Sequence, residues 1–484
     1  MPNAIEGLKP ALVWKYFAEI ARVPRCSKQE GKIRQYVLDV AKRLGLPART
    51  DPVGNVVVKQ PASPGKERVK RICLQGHLDM VCEKNKGKTH DFTKDPIELV
   101  RKGNMMTADG TTLGADNGIA VATNLAIMED KSLVHGPLEF LFTIDEETGL
   151  TGAAGLPEGF LESKTLLNLD SEEEGALYVG CSGGRDTKAA WKVAFDPAPK
   201  GAVPARLAVS GLKGGHSGLE IDKGRGNAVK ILARALLALE KLGVRVVSLE
   251  GGNKHNAIPR EAEATVFVPA KAWDGALNAV AAFAQAAKAE VATVDPGLAV
   301  GLTKLDGKKG KVIQKAALSR LLRTISALPH GVTKMSADIP GLVETSTNVA
   351  VVATERGAVR LVTSQRSSVA SEIDEVAHTV KSIFELAGAK VEQGDGYPGW
   401  KPNLESPILK LAQRTYQELY GKEPEVKAIH AGLECGIIGE RMHGMDMLSF
   451  GPTMEGVHSP DERLHIDTVE RFFNYLLAIL KNAN

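Results

Sequence analysis

Apolar and polar positions alternate in three different ways along this chain of 484 residues. In the first stretch, a helical pattern at 29–44, in which apolar residues recur every three or four positions, is followed by runs with strand character at 53–59, 71–74, 138–144 and 165–169. A helix of small residues is expected at 118–128, between the second and third of these runs. Strands that alternate with helices favour an α/β layer with a largely parallel sheet. This stretch therefore predicts the beginning of an α/β domain.

From about residue 187 the pattern changes to one that is typical of an α+β fold. Antiparallel strands are expected at 188–195, 204–210 and 262–269, with helices at 227–242 and 273–290. A comparable run of strands and helices follows until the α/β pattern returns. The stretch therefore predicts two α+β lobes in tandem.

Beyond residue 398 the α/β pattern returns, with helices at 407–420 and 468–481. The economical interpretation is one three-layer α/β domain with a largely parallel central sheet, formed by residues 1–186 and 399–484. A large α+β domain, residues 187–398, is inserted into it.

Composition and charge narrow the classes of partner. The chain carries 61 basic and 58 acidic residues, a net charge of +3, and it has no basic tract of the kind that follows a phosphate backbone. No run reaches about 18 consecutive apolar residues, and the beginning of the chain lacks the basic start and apolar run of a secretory signal. We therefore expect a cytoplasmic protein that binds neither nucleic acid nor a membrane.

The cysteines favour the same location. There are five, an odd number, and none has the paired spacing of a metal finger. We expect all of them to be free thiols in a reducing compartment. They are Cys26, Cys73, Cys82, Cys181 and Cys435.

Histidine and acidic residues stand at the ends of several predicted elements. His77 and Asp79 follow the strand at 71–74, and residues i and i+2 of a strand point to the same face. An imidazole and a carboxylate on one surface suit a metal ligand with an acid beside it. Asp116 ends a glycine-rich turn before a helix, where an ordinary helix cap is the alternative.

Two more acidic segments follow apolar strands. Adjacent carboxylates, such as those of Glu146 and Glu147, repel each other unless cations compensate, and a solvated turn is the alternative. Asp170 comes directly after the next strand, whereas the acidic run at 172–174 is expected to be a solvated loop. His458 lies in a polar loop before the last helix, where a single histidine usually has no special role.

These side chains become informative together, because ligands of an open α/β sheet bind at the carboxyl ends of its strands. Mixed imidazole and carboxylate ligation suits Zn²⁺, with Mn²⁺ and Co²⁺ as alternatives. Five donors are too many for one open zinc site, but they suit two ions that share a bridging carboxylate and activate a water between them. The five expected donors are His77, Asp116, Glu147, Asp170 and His458.

Five motifs occur in an order that resembles a known family. They are Gly-His-Leu-Asp at 76–79, Gly-Ala-Asp-Asn-Gly at 114–118, Asp-Glu-Glu-Thr-Gly at 145–149, Asn-Leu-Asp at 168–170 and Gly-Gly-His-Ser-Gly at 214–218. Over essentially its whole length, the chain thereby resembles the co-catalytic zinc metallopeptidases, which include carboxypeptidase G, aminoacylase and carnosinase. Its length, its enlarged insertion and the sequence His-Ala-Gly-Leu-Glu-Cys-Gly at 430–436 are most similar to the bacterial dipeptidases of that family.

The resemblance implies a role for each expected metal donor and names the two domains. Asp116 bridges two divalent ions. His77 and Asp170 complete the first metal site, and Glu147 and His458 complete the second. The interrupted α/β domain is the catalytic domain, and the inserted domain is a lid.

Two further residues of these motifs have implied roles. Glu146 is the general base that takes a proton from the water and returns it to the leaving amine. Asp79 orients the imidazole of His77. The family often has a cis peptide bond after the bridging aspartate, which implies one between Asp116 and Asn117.

Four residues are implied to contact the substrate. His216 hydrogen-bonds the developing oxyanion, and it is open whether it acts within its own chain or on a partner subunit. Arg366 grips the C-terminal carboxylate, Glu434 meets the free amine, and Asn256 matches a lid asparagine near the site. An ordinary turn histidine, strand-end arginine and loop asparagine are the alternatives for His216, Arg366 and Asn256.

The function implied by the resemblance is the hydrolysis of dipeptides with free termini, including Xaa-His substrates of the carnosine type. A hydroxide between the two ions attacks the peptide carbonyl, with Glu146 as general base. The alternative is an N-acyl-amino-acid amidohydrolase with the same metal site, and a catalytically silent metal-binding or peptide-binding protein is a third class. The substrate is a small peptide, and the choice between a monomer and a homodimer stays open.

Overall fold

The computed structural model describes residues 4–307 and 310–484, which divide into two compact units. The first comprises Met1–Gly180, Pro402–Ala428 and Leu433–Asn484, and the second comprises Cys181–Lys401 and Ile429–Gly432. One unit is thus interrupted by the other. The domain bounds expected from the sequence, at 186/187 and 398/399, differ from these limits by several residues, and the short return at 429–432 was not expected.

The first unit is built on an eight-stranded sheet whose central strands are parallel. Every residue of the strands Ile72–His77 and Leu138–Thr143 is buried, as expected for strands that are covered on both faces. The prediction of an α/β fold with a largely parallel sheet is confirmed. In spatial order the strands are Ala48–Thr50, Val56–Gln60, Leu138–Thr143, Ile72–His77, Thr165–Asn168, Asp446–Ser449, Ala176–Cys181 and Glu425–Ile429.

The helices of this unit follow from local sequence signals. Pro407–Tyr420 begins after Ser406, whose side chain accepts the N–H of Leu409, and it ends at Gly421 in the left-handed region. Ala115–Glu129 is rich in small apolar residues and is buried on all sides, so it forms part of the core. The other helices are Ala11–Ile20, Gly31–Leu44, Glu146–Gly149, Thr151–Ala154, Glu434–Arg441 and Ile466–Asn482.

A small four-stranded sheet also belongs to the first unit. Its strands, in spatial order, are Met454–Glu455, Arg463–His465, Met105–Ala108 and Leu99–Lys102. It joins the segment after His458 to the chain that leads into Asp116, because Arg463 pairs with Thr107 and Leu464 with Met106.

The second unit contains a nine-stranded antiparallel sheet. The two lobes expected in tandem share this sheet, since Arg245–Gly251 pairs with Val343–Glu355. The spatial order is Ala299–Lys304, Ala202–Ser210, Ala262–Pro269, Arg245–Gly251, Val343–Glu355, Ala358–Ser367, Gly183–Lys192 and Lys390–Gln393, with Gly331–Met335 also paired to Val343–Glu355. Its α-helices are Ala228–Leu239, Trp273–Val291, Lys315–Ala327 and Ala370–Leu386.

Shorter elements complete the second unit. Three single turns of 3₁₀ helix lie at Ile221–Lys223, Glu240–Leu242 and Ala270–Ala272. Two-stranded antiparallel sheets pair Phe195–Pro197 with Lys311–Ile313 and Gly215–His216 with Ala257–Ile258.

One expectation about the cysteines is wrong. Cys26 and Cys82 form a disulfide with a Cα–Cα distance of 5.7 Å. The two segments lie side by side, since the N–H of Met80 donates to the carbonyl of Arg25 at 3.1 Å. This contact brings Cys26 close to Cys82, although the two cysteines are 56 positions apart in the sequence. Within 4–307 and 310–484, no helix is both long and apolar enough to cross a membrane.

Candidate metal centre

The strand ends of the parallel sheet bring the expected ligands to one edge. His77 is the last residue of Ile72–His77, and Asp170 comes two residues after Thr165–Asn168. Glu147 lies in the short helix that follows Leu138–Thr143. Because these three strands are parallel neighbours, their carboxyl ends meet at the same edge.

Asp116 reaches this edge from a sharply turned loop. Gly114 precedes it with a φ of +68°, and the Asp116–Asn117 peptide bond is cis, as the resemblance implies. The side chain of Asn117 fastens the loop to two strand ends. Its Oδ1 accepts the N–H of His77 at 3.2 Å, and its Nδ2 donates to the carbonyl of Leu169 at 2.9 Å.

Two trios of potential ligand atoms share the carboxylate of Asp116. In the first trio, His77 Nε2 lies 3.0 Å from Asp116 Oδ1 and 3.3 Å from Asp170 Oδ1. In the second, His458 Nε2 lies 3.1 Å from Asp116 Oδ2 and 2.9 Å from Glu147 Oε2. The ligand atoms of each trio lie within 4.8 Å of one another. Each oxygen of Asp116 therefore belongs to a different trio.

The residues present fit a pair of divalent cations. Asp170 Oδ1 and Glu147 Oε1 are buried, and neither finds a hydrogen-bond partner among the described residues. A buried carboxylate oxygen without a partner is costly. Cations would compensate the crowded carboxylates, and imidazole with carboxylate is the donor set that Zn²⁺, Mn²⁺ and Co²⁺ accept.

The protonation of these groups reflects the same crowding. Burial, reinforced by Asp116, raises the pKa of Asp170 to about 7. Hydrogen bonds to Asp116 and Glu147 raise the pKa of His458 to about 11. Burial opposes protonation of His77, but the carboxylates around it outweigh burial and raise its pKa. Without cations, protons on these side chains therefore balance part of the negative charge of the crowded carboxylates.

Glu146 and Asp79 lie beside the trios. Asp79 is buried, its Oδ1 lies 3.3 Å from His77 Nδ1, and its Oδ2 accepts the hydroxyl of Ser27 at 2.8 Å. Its two oxygens also accept the N–H groups of Glu146 and Glu147, at 3.0 and 3.2 Å. Burial raises the pKa of the Glu146 carboxyl well above its usual range.

Glu434 lies in the same unit and is fully buried. Its Oε2 accepts hydrogen bonds from Gln75 Nε2 at 2.6 Å and from Thr143 Oγ1 at 2.7 Å, whereas its Oε1 finds no partner among the described residues. Burial raises the pKa of this carboxyl to about 8. The structure therefore holds Glu434 by one oxygen and leaves the other unpaired.

In the second unit, His216 and Asn256 lie in neighbouring short segments. His216 pairs with Ala257, and the N–H of Ser217 donates to the carbonyl of Asn256 at 2.9 Å. The Nδ1 of His216 accepts the N–H groups of Gly218 and Leu219 at 3.2 and 3.1 Å. The neutral ring therefore carries its proton on Nε2.

Arg366 lies close to His216 and His430 in this unit. Burial together with the charge of Arg366 lowers the pKa of His216 to about 4 and that of His430 to about 3. Arg366 is buried, its Nη1 donates to the hydroxyl of Tyr397 at 2.9 Å, and its Nε has no partner within the described part of the chain. No role was expected for His430, although it begins the sequence His-Ala-Gly-Leu-Glu-Cys-Gly at 430–436, or for Tyr397, which stands in no recognised motif.

Two buried charged residues beside the candidate metal centre are absent from the set expected from the sequence. Glu462 is 2% exposed and accepts hydrogen bonds from the backbone that leads into Asp116. Arg25 is 3% exposed and donates to the carbonyls of Leu78, Asp79 and Gly114. Both act over long sequence distances, so no local pattern reveals them. The one feature of the sequence that could have pointed to Glu462 is its position four residues after the expected ligand His458.

Comparison with known proteins places the chain in a family. The sequence profile of peptidase family M20/M25/M40 matches residues 73–482. The chain belongs to this peptidase family. A member from Escherichia coli K12, cytosol non-specific dipeptidase, is 42% identical over 480 residues, which cover 99% of each chain. The predicted resemblance to the bacterial dipeptidases of the family is confirmed.

Two solved structures are similar in fold to this chain. Aminoacylhistidine dipeptidase from Vibrio alginolyticus is 42% identical and superposes with a TM-score of 0.92, over 100% of this chain and 99% of that one. Aminopeptidase PepT from Bacillus cereus is 17% identical, with a TM-score of 0.57 over 98% of this chain and 99% of that one. The latter likeness concerns the fold alone. Peptidases of the M20 family use divalent metals, and the two trios are candidate sites for them.

Proposed function

We propose that this chain is a metal-dependent dipeptidase that hydrolyses dipeptides with free termini, Xaa-His dipeptides among them. The observation that carries the proposal is the position of Asp116, whose two carboxylate oxygens belong to two separate trios of ligand atoms. The 42% identity to the Escherichia coli dipeptidase and to the Vibrio alginolyticus aminoacylhistidine dipeptidase supports the substrate class.

Two divalent ions would be held by five side chains. Asp116 would bridge them, with His77 and Asp170 on one ion and Glu147 and His458 on the other. We propose Zn²⁺, with Mn²⁺ and Co²⁺ as alternatives. When bound, such a pair of ions lowers the pKa of a water between them and polarises the scissile carbonyl.

Glu146 would move the proton during the reaction. Its backbone N–H donates a hydrogen bond to the carboxylate of Asp79. The same carboxylate lies against His77, so it positions Glu146 relative to that imidazole. Its carboxylate would take a proton from the attacking water and deliver it to the leaving amine. Burial raises the pKa of this group, which makes it a stronger base than an exposed glutamate.

His216 would stabilise the developing oxyanion. The imidazole is neutral near pH 7, because burial and Arg366 lower its pKa to about 4. Since Nδ1 accepts two backbone N–H groups, Nε2 carries the proton and is the donor. A neutral donor of this kind can hydrogen-bond the negative charge that develops on oxygen.

Three further residues would contact the substrate, two of them at its ends. Arg366 would bind the C-terminal carboxylate, and its unpaired Nε supports this role. Glu434 would receive the free amine on its unpaired Oε1. Asn256, which immediately precedes the strand Ala257–Ile258 that pairs with His216, would contact the substrate from the lid. Charged recognition at both ends would restrict the length of the peptide.

A comparison of substrates tests the proposal. Protein stripped of metal with a chelator and reloaded with Zn²⁺ is assayed with carnosine-type dipeptides, ordinary dipeptides and N-acetyl amino acids. We expect metal-dependent hydrolysis of dipeptides, with a kcat/KM at least 100-fold above that for N-acetyl amino acids. Faster hydrolysis of the N-acetyl compounds would favour the N-acyl-amino-acid amidohydrolase instead. Failure of the reloaded protein to cleave any dipeptide would refute the dipeptidase.

We also propose a cytoplasmic location, which rests on the name of the Escherichia coli relative, since the disulfide between Cys26 and Cys82 removes the support expected from free cysteines. The chain would act on small peptides, with no nucleic-acid or membrane partner. The choice between monomer and homodimer is decided by sedimentation velocity on the metal-loaded protein.

A further inference from the structure

The segment that carries His458 contacts Asp116 at two separate points. The Nε2 of His458 lies 3.1 Å from Oδ2 of the Asp116 side chain. Four residues later, the carboxylate of Glu462 lies against the backbone that leads into Asp116. One short segment therefore holds both the side chain and the main chain of the residue that both trios share.

The carboxylate of Glu462 is saturated by backbone N–H groups. Its Oε2 accepts from Leu113 at 2.7 Å and from Gly114 at 2.9 Å. Its Oε1 accepts from Ala115 at 2.8 Å and from Asp116 at 3.3 Å. These groups precede the regular part of Ala115–Glu129, because the backbone of Asp116 and Asn117 is not helical, so the carboxylate of Glu462 satisfies N–H groups of the turn rather than of the helix.

The backbone of Glu462 is also fixed. Its N–H donates to the carbonyl of Ser459 at 3.1 Å, and its carbonyl accepts the hydroxyl of Thr107 at 2.8 Å. The first contact closes the turn next to His458, and the second joins this turn to the strand Met105–Ala108. Because the side chain of His458 is half exposed, neighbouring packing alone gives it little restraint. Its place over Asp116 therefore depends on the anchored turn.

We propose that Glu462 is a positioning residue that fixes His458 relative to Asp116 and so assembles the second metal site. The inference rests on the proposed function, since it assumes that Asp116, Glu147 and His458 hold an ion. The effect is specific to one half of the centre. His77 and Asp170 stand at strand ends that Glu462 does not touch.

The first trio is attached separately to the loop that precedes Asp116. Arg25 donates to the carbonyl of Gly114, and it also donates to the carbonyls of Leu78 and Asp79, at 3.2 and 2.8 Å. This guanidinium joins the loop before Asp116 to the segment that follows His77. Loss of Glu462 would therefore free the turn of His458, while Arg25 would still hold the loop beside the first trio.

The test is a titration of the metal-free full chain with Co²⁺, followed by visible absorption and by calorimetry. In Glu462→Gln, one amide oxygen still accepts N–H groups, but the amide nitrogen faces the other two donors. We expect about a 10–100-fold loss of affinity at one site, the range found when groups that orient a ligand are removed, and a change of less than twofold at the other. The Co²⁺ spectrum should resemble that of His458→Ala rather than that of Asp170→Ala.

Asp461→Asn is the matched control, because it removes an exposed carboxylate next to Glu462 and should bind Co²⁺ like the wild type. Unchanged affinity at both sites in Glu462→Gln, or an equal loss at both, would overturn the role of Glu462. Fewer than two Co²⁺ bound by the wild type would instead overturn the metal centre itself.

If Glu462→Gln does not fold, Thr107→Val decides the question, since it removes the hydroxyl that holds the Glu462 carbonyl. A two- to fivefold loss at the same single site supports the proposal. Equal or absent effects at the two sites contradict it.

Discussion

The Oδ1 atom of Asp79 accepts the backbone N–H of Glu146 at 3.0 Å. The same oxygen lies 3.3 Å from Nδ1 of His77, and the second oxygen accepts the N–H of Glu147 at 3.2 Å. One buried carboxylate thus joins the end of the strand Ile72–His77 to the segment after Leu138–Thr143. Two proposed ligands and the proposed base therefore depend on a single side chain for their relative position.

Asp79→Asn should damage both metal binding and turnover. The amide keeps one acceptor, but its nitrogen faces a backbone N–H group, so the segment that carries Glu146 and Glu147 must shift. We expect kcat and metal affinity each to fall about 10–100-fold. Steady-state kinetics and metal titration of the same preparation measure the two effects.

Ser27→Ala is the control for this variant. It removes one hydroxyl donor to Asp79 and leaves the contacts with His77 and Glu146 in place, so a change of less than threefold is expected. Wild-type kcat and metal affinity in Asp79→Asn would show that the shared carboxylate does not position these residues.

Glu146→Gln should abolish proton transfer and leave metal binding intact. The amide has nearly the shape of the carboxylate but cannot accept the proton of the attacking water. We expect kcat for a dipeptide to fall about 10²–10⁴-fold, the usual contribution of a general base, with metal affinity within twofold of wild type. Glu158→Gln, an exposed site in the same unit, is the control. Full turnover in metal-loaded Glu146→Gln would remove the residue from the mechanism.

The sequence predicts that the expected ligands lie at one edge of the sheet, because its signals there are local. Each expected ligand follows an apolar run or a glycine-rich turn, and the carboxyl ends of parallel strands meet at one edge. The strand that ends at His77 lies within three residues of its expected end. The residues that support the ligands have no such local signal. Glu462 and Asp116 are 346 positions apart, and Arg25 and Gly114 are 89 apart.

The same contrast holds for the rest of the fold. The helix Pro407–Tyr420 is predicted at its observed bounds, because Ser406, Pro407 and Gly421 mark its ends. The shared sheet of the two lobes is not predicted, since the pairing of Glu250 with Ala353 joins strands about a hundred residues apart. The disulfide between Cys26 and Cys82 escapes prediction for the same reason. Long-range pairing leaves no periodic pattern in the sequence.

Gly114→Ala should destabilise the protein by a clash. Gly114 has a φ of +68°, and a Cβ there would lie 2.5 Å from Nη2 of the buried Arg25 and 2.7 Å from Sδ of Met80. Gly103→Ala isolates the cost of positive φ, because Gly103 has a φ of +61° and open space around its Cβ position. That cost is about 1–2 kcal/mol.

We expect the free energy of unfolding to fall by about 1–3 kcal/mol more for Gly114→Ala than for Gly103→Ala, since overpacking adds to the backbone strain. Denaturant unfolding of both variants measures the difference. Equal losses would mean that Arg25 moves aside without cost and does not hold the loop rigidly.

Arg366→Ala should impair substrates that carry a free C-terminal carboxylate. A lost charge-assisted hydrogen bond is worth about 1.5–3 kcal/mol, so kcat/KM for dipeptides should fall about 10–150-fold. For the matching dipeptide amides, which lack the carboxylate, the variant and the wild type should differ by less than threefold. Arg360→Ala, an exposed arginine on the same strand, should leave both substrates unaffected. An equal loss for acids and amides would assign Arg366 a structural role.

The metal-free protein should become less stable as pH rises from about 5.5 to 8. Burial raises the pKa of Asp170 to about 7, against 3.8 for an ordinary aspartate. Between these two values the folded protein keeps a proton that the unfolded chain has released, so the free energy of unfolding falls as pH rises. His458 acts in the same direction above pH 6.5, because Asp116 and Glu147 raise its pKa to about 11.

Asp79 has the opposite sign, but its pKa of about 2 confines its effect to lower pH. His216 and His430, whose pKa values are lowered to about 4 and about 3, oppose the decline only below about pH 6.5. There the carboxyl of Glu434, whose pKa is raised to about 8, adds to the effect of Asp170.

Bound ions should reverse this trend, because cations replace the protons among the same carboxylates and their binding releases protons. We expect Tm of chelator-treated protein to fall over this pH range and Tm of Zn²⁺-loaded protein to stay level or rise.

Calorimetric titration at pH 7 in two buffers of different ionisation enthalpy counts the released protons. Asp170→Asn removes one titrating group and should flatten the decline of the metal-free protein. A metal-free wild type whose Tm rises between pH 5.5 and 8 would contradict the protonation of this centre, and with it the charge balance that favours cations there.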